Sequence, residues 1–381
     1  MNHTVPDGAQ RAFPYLQSLR TATTHLSRLI SEKIRAAGSL PFQEFMADAL
    51  YHPEFGYYAR PERLTATKKG DFITSVSVGP CFGFLLAHRI FNFWKSLGQP
   101  KMFTIAELGA HNGALARDIL TALPKIDPQL AAAAHYLISE PLPHQRIALE
   151  KNLAPDFPEK LTILAELPSD HPHPIVLLAN EVLDALPVPL IHSNSGHWQE
   201  LHVCNDTEFF QFTAAPEEKM SPQVKKFTDT LGSNFPDNYL TEAPPDFSNF
   251  LQIISTFASR ESLLVFIDYG FDHASLYHPS RCDGTLQAYF RHQKKNHPLD
   301  RPGEQDLTAH VNFTAFAAAA KNLGYTATIP MHQGRYLTHL ARPWLLSNPT
   351  EQKLIQQFQT LTHPNHFGTT FHAIELSRSI S

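Results

Sequence analysis

Acids and amides stand where the chain's short apolar runs stop. Glu107 follows residues 103–106, Glu140 closes 135–139, Asn180 and Glu181 follow 174–179, and Asp268 follows 262–267. Such runs read as strands buried on both faces, hence as a parallel sheet. In open α/β sheets ligands sit just beyond the carboxyl ends of the strands, which makes these polar residues candidates for binding or chemistry. An acid at 140 can accept hydrogen bonds from both hydroxyls of a ribose, or it can cap the helix that follows. Glu181 and Asp184 are three apart. On a helix they would share one face, and two carboxylates facing one cleft repel until a cation relieves them. The alternative is that they cap a helix or pair with a structural arginine. Farther along, His310 in Asp306-Leu-Thr-Ala-His310-Val can position a substrate or take a proton, or it is a loop histidine bonded to backbone.

The densest local pattern begins at Glu107. Glu107-Leu-Gly109-Ala-His111-Asn-Gly113 is followed by Leu115, Ala116, Ile119 and Leu120 at helical spacing, with Asp118 on the other side. Strand, glycine turn and helix in that order let backbone approach a ligand that a Cβ would block, and the helix amino terminus favours anionic groups. A dinucleotide fingerprint would be G-x-G-x-x-G. Here the spacing is G-x-x-x-G, and His111 fills the place of the second glycine, which denies a pyrophosphate close access. Glycines serving only helix–strand packing would leave the same letters. Upstream, Gly70-Asp71-Phe72-Ile-Thr74-Ser75 precedes an apolar helix at 79–94, either as the edge of a lid or as a turn with a helix cap.

Other elements must hold these residues in place. Strands are read at 103–106, 135–140, 160–165, 174–179, 262–267, 325–329 and 369–376. Leu26, Leu29, Ile30 and Ile34 predict a helix closed by Gly38. A second helix follows, with Ser39 as its cap, Pro41 in its first turn and Phe42, Phe45, Met46 and Leu50 on one face. Residues 188–214 alternate as an inserted antiparallel hairpin, 221–260 reads as helical with a break at Pro244-Pro245, and 314–323 is a helix closed by Gly324. A length of 381 residues allows two or three domains, or one large domain with insertions. The net charge of −5 argues against broad nucleic-acid binding, and no apolar run is long enough to span a bilayer. Cys81, Cys204 and Cys282 are far apart with no C-x-x-C pair, which suits a reducing compartment and gives neither a disulfide framework nor a zinc site. His171-Pro-His173-Pro174 reads as a surface turn rather than a metal site. Residues 1–24 read as a flexible tail without a signal-peptide core, and the basic stretch 60–69 as a mobile loop.

Several blocks together carry a resemblance. They are Pro41-Phe, Gly56-Tyr-Tyr58, Gly70-Asp-Phe-Ile-Thr-Ser75, Glu107-x-Gly-x-x-x-Gly113, Ala179-Asn-Glu-x-x-Asp184-Ala-Leu-Pro187, Ile267-Asp-Tyr-Gly270, Gly284-Thr-Leu286 and Pro302-Gly-x-x-Asp306-Leu-Thr-Ala-His310-Val. This order resembles the MidA-like family of S-adenosylmethionine-dependent methyltransferases, which includes a mitochondrial arginine methyltransferase. The resemblance runs from about residue 40 to the carboxyl terminus; the glycine motif alone is shared by class I methyltransferases generally. It implies an α/β fold, a class I methyltransferase (Rossmann-like) doubly wound sheet with an N-terminal helical segment and an inserted α+β subdomain. The implied segments are the tail at 1–24, a helical segment with the cofactor-lid motif at 25–100, the core at 101–187, an inserted hairpin with helices at 188–260, and the rest of the core at 261–381.

On this resemblance S-adenosylmethionine is held by Gly70, Asp71, Phe72, Thr74, Ser75, Glu107, Gly109, Gly113, Glu140 and Asn180. The implied reaction is methyl transfer to a protein side chain, an arginine first of all, with Glu181, Asp184 and His310 as the catalytic candidates. A carboxylate can accept two parallel N–H bonds from a guanidinium, and an in-line displacement gains most from positioning. The implied partner is an arginine-bearing protein, without nucleic acid, metal or membrane span. The implied compartment is the cytoplasm, or the mitochondrial matrix in a eukaryotic source. Two places depart from the family pattern. Val76-Ser77 stands where the family usually has Pro-Glu, and Gly-Ala-His-Asn-Gly where it usually has Gly-Pro-Gly-x-Gly. They keep open a weakly active or inactive assembly scaffold that binds S-adenosylmethionine. A nicotinamide-dependent oxidoreductase is the third reading, and the missing second glycine counts against it.

Overall fold

The computed structural model describes residues 24–60, 74–206, 209–232, 234–290, 293–295 and 297–379. Gly70, Asp71 and Phe72, the basic stretch 61–69 and the tail at 1–23 lie outside the described residues. The apolar runs form β1 (Phe103–Leu108), β2 (Ala134–Ser139), β3 (Leu161–Leu164), β4 (Ile175–Asn180) and β5 (Ser262–Phe271). Two further strands, β6 (Thr326–Ala327) and β7 (Phe371–Arg378), follow. Their hydrogen-bonded order is β3-β2-β1-β4-β5-β7-β6. Pairing is parallel from β3 through β5, and β7 runs antiparallel to both β5 and β6. The order reverses at β1/β4, the switch point where a doubly wound sheet opens a crevice. This is the Rossmann-like class I sheet implied by the sequence.

Side chains alternate across the sheet with period two. Val265 and Ile267 join Ile105, Tyr136, Ile138, Val176 and Leu178 in a core with helices Cys81–Ser96 and Ala114–Ile126. Phe266, between them, has its ring 4.8 Å from Phe316 on helix Phe313–Asn322, and Phe247 of helix Phe247–Phe257 lies 5.2 Å from Phe316. Phe266 and Phe316 are both fully buried, each worth about 1.5–3 kcal/mol by transfer from water.

The chain divides into two units. The second, 72–183 with 247–270 and 313–381, contains nearly all of this sheet. The first takes 1–71, 184–246 and 271–312. In the first unit Leu40–Pro41, His197–Asp206, Leu190–Asn194 and Leu240–Glu242 form one sheet path, with Phe209–Ala214 beside His197–Asp206. Gln293–Lys295, Gln287–Phe290 and Asp306–Thr308 form a second, small sheet. Its core joins Leu26, Ile30, Phe42, Phe45 and Leu50 to Leu201, Val203 and Phe210.

These units regroup the segments drawn from sequence. Helix Cys81–Ser96 goes with the large sheet, and 271–312 goes with the inserted sheet. Ser39 does not cap helix Phe42–Tyr51: its hydroxyl bonds His202 Nδ1 at 3.0 Å, because Leu40–Pro41 pairs with the inserted sheet. Strand Leu240–Glu242 separates helix Pro222–Leu231 from Phe247–Phe257 within the stretch read as helical.

Candidate functional site

Parallel pairing sets one row across the second unit. Leu108 is level with Ser139 and with Ala179, and Ala179 is level with Phe266. One residue farther along, Gly109, Glu140 and Asn180 stand together at the carboxyl edge. Gly109 has φ +67°, where a Cβ would be strained and would meet Val182 Cγ2 at 3.0 Å. Gly113 (φ +75°) takes the N-cap position of helix Ala114–Ile126. His111, between them, also holds a left-handed backbone, φ +49°. The loop therefore keeps a glycine-like path where its sequence has lost a glycine.

Each acid of this edge has partners. Glu107 is buried and its Oε2 accepts the Tyr136 hydroxyl at 2.7 Å; burial pushes its pKa up to about 7. Glu140 is buried as well, and burial raises its pKa. Its Oε1 accepts the Leu142 N–H at 3.0 Å, so the turn-closing alternative is realised by one oxygen. Asn180 donates from Nδ2 to Glu181 Oε1 at 3.0 Å, while its buried Oδ1 has no partner among the described residues.

The connection after β4 forms no helix, which removes the shared helical face for Glu181 and Asp184. Two causes are visible. Glu181 is left-handed, φ +54°, and Asp268, within β5, takes the N–H groups of Val182 and Leu183 on its Oδ2 at 3.0 and 2.7 Å. Glu181 Oε2 also accepts the Tyr269 hydroxyl at 3.2 Å. Burial and then the charge of Asp268 push the Glu181 pKa up to about 8. Ser75 is buried and donates to Gln333 Oε1 at 2.9 Å, and its backbone hydrogen-bonds Glu181. Thr74 closes the turn Val76–Val78 by accepting the Ser77 N–H on its hydroxyl at 3.2 Å.

Asp184 and His310 belong to the first unit. Asp184 is buried, and its carbonyl accepts the Ala309 N–H at 2.9 Å. The His310 N–H donates to Thr285 Oγ1 at 2.9 Å, and its ring lies 5.2 Å from Phe271. Two residues without an assigned role stand out here. Asp306 is buried and accepts the Tyr58 hydroxyl at 3.1 Å. Burial, and next the charge of Asp306, raise the Tyr58 pKa. Both residues lie in quoted blocks, Gly56-Tyr-Tyr58 and Pro302-Gly-x-x-Asp306, and that was the signal for them. Asp268 was visible as an acid ending a strand; which N–H groups it takes was not.

Comparisons with known proteins bear on the family and the fold. Residues 85–331 match the model of a family described as "Putative S-adenosyl-L-methionine-dependent methyltransferase". The chain is 26% identical to the Drosophila melanogaster mitochondrial protein arginine methyltransferase NDUFAF7 homologue, over 91% of this chain and 83% of that one. It is likewise 26% identical to the human mitochondrial protein arginine methyltransferase NDUFAF7, over 93% and 83%. A solved Burkholderia thailandensis structure with S-adenosyl-homocysteine bound aligns at TM-score 0.82 and 26% identity, covering 99% of this chain and 96% of that one.

Proposed function

The chain belongs to this family of S-adenosyl-L-methionine-dependent methyltransferases, and on that premise we propose that it methylates arginine side chains of a protein. Bound S-adenosylmethionine supplies an electrophilic methyl on a sulfonium. The second unit's edge fits that group: Asn180 Oδ1 is a buried acceptor without a donor among the described residues, and an α-ammonium provides one. Gly109 keeps side-chain atoms off the approach, and Glu140 would accept from ribose hydroxyls. Ser75 and Glu107 belong to the same unit. Support for arginine comes from the names of the relatives and from one observation. Glu181 is a carboxyl held near pKa 8 by burial and by Asp268, with Asn180 and Tyr269 fixing its orientation. A guanidinium beside it would relieve the repulsion and gain charge-assisted bonds. Its Oε atoms can then accept the proton that the attacking nitrogen loses. Asp184 and His310 are the first unit's candidates for the same reaction.

The test is methyl transfer from labelled S-adenosylmethionine to matched arginine and lysine peptides. Transfer to arginine, lost in Glu181→Gln with S-adenosylmethionine binding kept, is expected; transfer to lysine alone overturns the reading. A weakly active scaffold is favoured by one feature, Ser77, exposed where the family pattern carries an acid. The compartment proposed is the cytoplasm, or the mitochondrial matrix in a eukaryotic source; the mitochondrial names of the relatives support the second.

A further inference from the structure

Glu242 lies at the end of strand Leu240–Glu242, is 3% exposed, and belongs to no motif. Its Oε1 accepts the N–H groups of Thr285 and Leu286 at 2.8 and 2.7 Å, and its Oε2 accepts the Thr285 hydroxyl at 3.1 Å. With its proton committed to Glu242, the Thr285 oxygen is left as an acceptor, and it takes the His310 N–H at 2.9 Å. A backbone N–H only donates and an ionised carboxylate only accepts, which sets the polarity of this relay in the ionised form. Gly284 (φ +65°) makes room, since a Cβ there would stand 2.6 Å from Glu242 Oε1. The Gly284-Thr285-Leu286 block is thereby accounted for residue by residue. The backbone of Glu242 works in the same direction. Its carbonyl accepts the Tyr277 hydroxyl at 3.1 Å, and Tyr277 Oη in turn accepts from Asn312 Nδ2 at 3.3 Å. Residues 310 and 312 are thus both tied to one buried acid. The His310 ring also meets Phe271, over whose ring the Arg281 guanidinium sits at 4.3 Å.

We infer that Glu242 is a positioning residue, acting through the Thr285 hydroxyl to set where the His310 imidazole stands. The inference rests on the reading of His310 as a residue that faces substrate. A loop staple without that role would hold stability alone.

Two measurements separate these. The first is the His310 ring resonance in protein carrying 13C-histidine, identified by its absence in His310→Gln. Thr285→Val removes the hydroxyl at nearly constant volume and should shift that resonance; Thr285→Ser should return it. The second is turnover on an arginine peptide. Thr285→Val should lower kcat on the order of 10- to 100-fold, the scale of an ångström's misplacement, with the KM for S-adenosylmethionine unchanged. Thr285→Ser should restore most of it, and Thr285→Val should add no further loss to His310→Gln. Should Thr285→Val fail to fold, Glu242→Gln serves. Its amide can donate to the Thr285 oxygen and displace the His310 N–H, so it should shift the same resonance. An unmoved resonance, or losses that add, overturns the inference. A shifted resonance with His310→Gln fully active keeps the strut and removes His310 from the reaction instead.

Discussion

Glu181 carries the most consequence at the scale of single residues. Its carboxyl would ordinarily titrate at 4.5, and burial with Asp268 holds it near 8. A folded value above the unfolded one contributes stability that is complete below the unfolded pKa and is lost as pH rises through the folded one. Glutamine cannot titrate. The melting temperature of the wild type should therefore fall relative to Glu181→Gln between about pH 4.5 and pH 8, and parallel curves would show that the carboxyl is not perturbed. Binding a guanidinium favours the ionised form, so an arginine peptide should release a proton below about pH 8 and bind more tightly as pH approaches that value. Calorimetry in buffers of differing ionisation enthalpy reads that proton directly. At Gly109 a side chain would be strained by φ +67° and would press on Val182, so Gly109→Val should abolish S-adenosylmethionine binding. Glu140→Ala should weaken it by about 1.5–3 kcal/mol, the range for bonds to a charged group; equal affinity by titration calorimetry would leave Glu140 as a turn closer only. Residues at strand ends were legible in sequence because the run that precedes them marks the place. Asp268 and Glu242 act through backbone N–H groups of other segments, and no spacing of letters records which turn will present them.

Elements follow a similar division. Apolar runs announced β1 to β5, since length and apolar content suffice there. Three short strands were not announced: Leu240–Glu242, Gln287–Phe290 and Asp306–Thr308 are too short for alternation to show, and tertiary pairing creates them. The connection after β4 was open to a helical reading because Asn180–Leu183 carries no glycine or proline; the left-handed Glu181 and the Asp268 carboxylate decided otherwise. One tie between elements is testable on its own. Arg89, on helix Cys81–Ser96, makes a two-pronged pair with Glu375 of β7 at 2.7 and 2.8 Å, and Tyr336 of helix Gln333–Leu346 donates to the same carboxylate at 2.8 Å. Glu375→Ala leaves a partly buried guanidinium and a phenol without their acceptor. It should cost about 1.5–3 kcal/mol in urea denaturation with S-adenosylmethionine affinity unchanged. A loss below about 0.5 kcal/mol would mean that the pair behaves like an exposed surface pair.

For the molecule as a whole, the doubly wound sheet was legible through the resemblance, and its strand order was not read. Strand–helix alternation with a glycine turn after the first strand leads to a doubly wound sheet. The two units, by contrast, each gather three stretches of chain, and one boundary falls between Leu183 and Asp184, inside the Asn180-to-Pro187 block. Contacts between distant segments make that partition, and sequence order hides them. It leads to a last prediction. The described cofactor candidates, Thr74, Ser75, Glu107, Gly109, Gly113, Glu140 and Asn180, all lie in the second unit. S-Adenosylmethionine at one hundred times its Kd should stabilise the folded state by about 2.7 kcal/mol. Protection against hydrogen exchange should be distributed unevenly, because local openings are suppressed only where the ligand touches. Amides at 109–113, 140–142 and 180–183 should slow most. Those of strands Leu190–Asn194 and His197–Asp206 in the first unit should exchange by local opening at their ligand-free rates. Strong protection of those two strands, with 109–113 and 140–142 unchanged, would move the cofactor to the first unit and remove the second unit's edge from the mechanism.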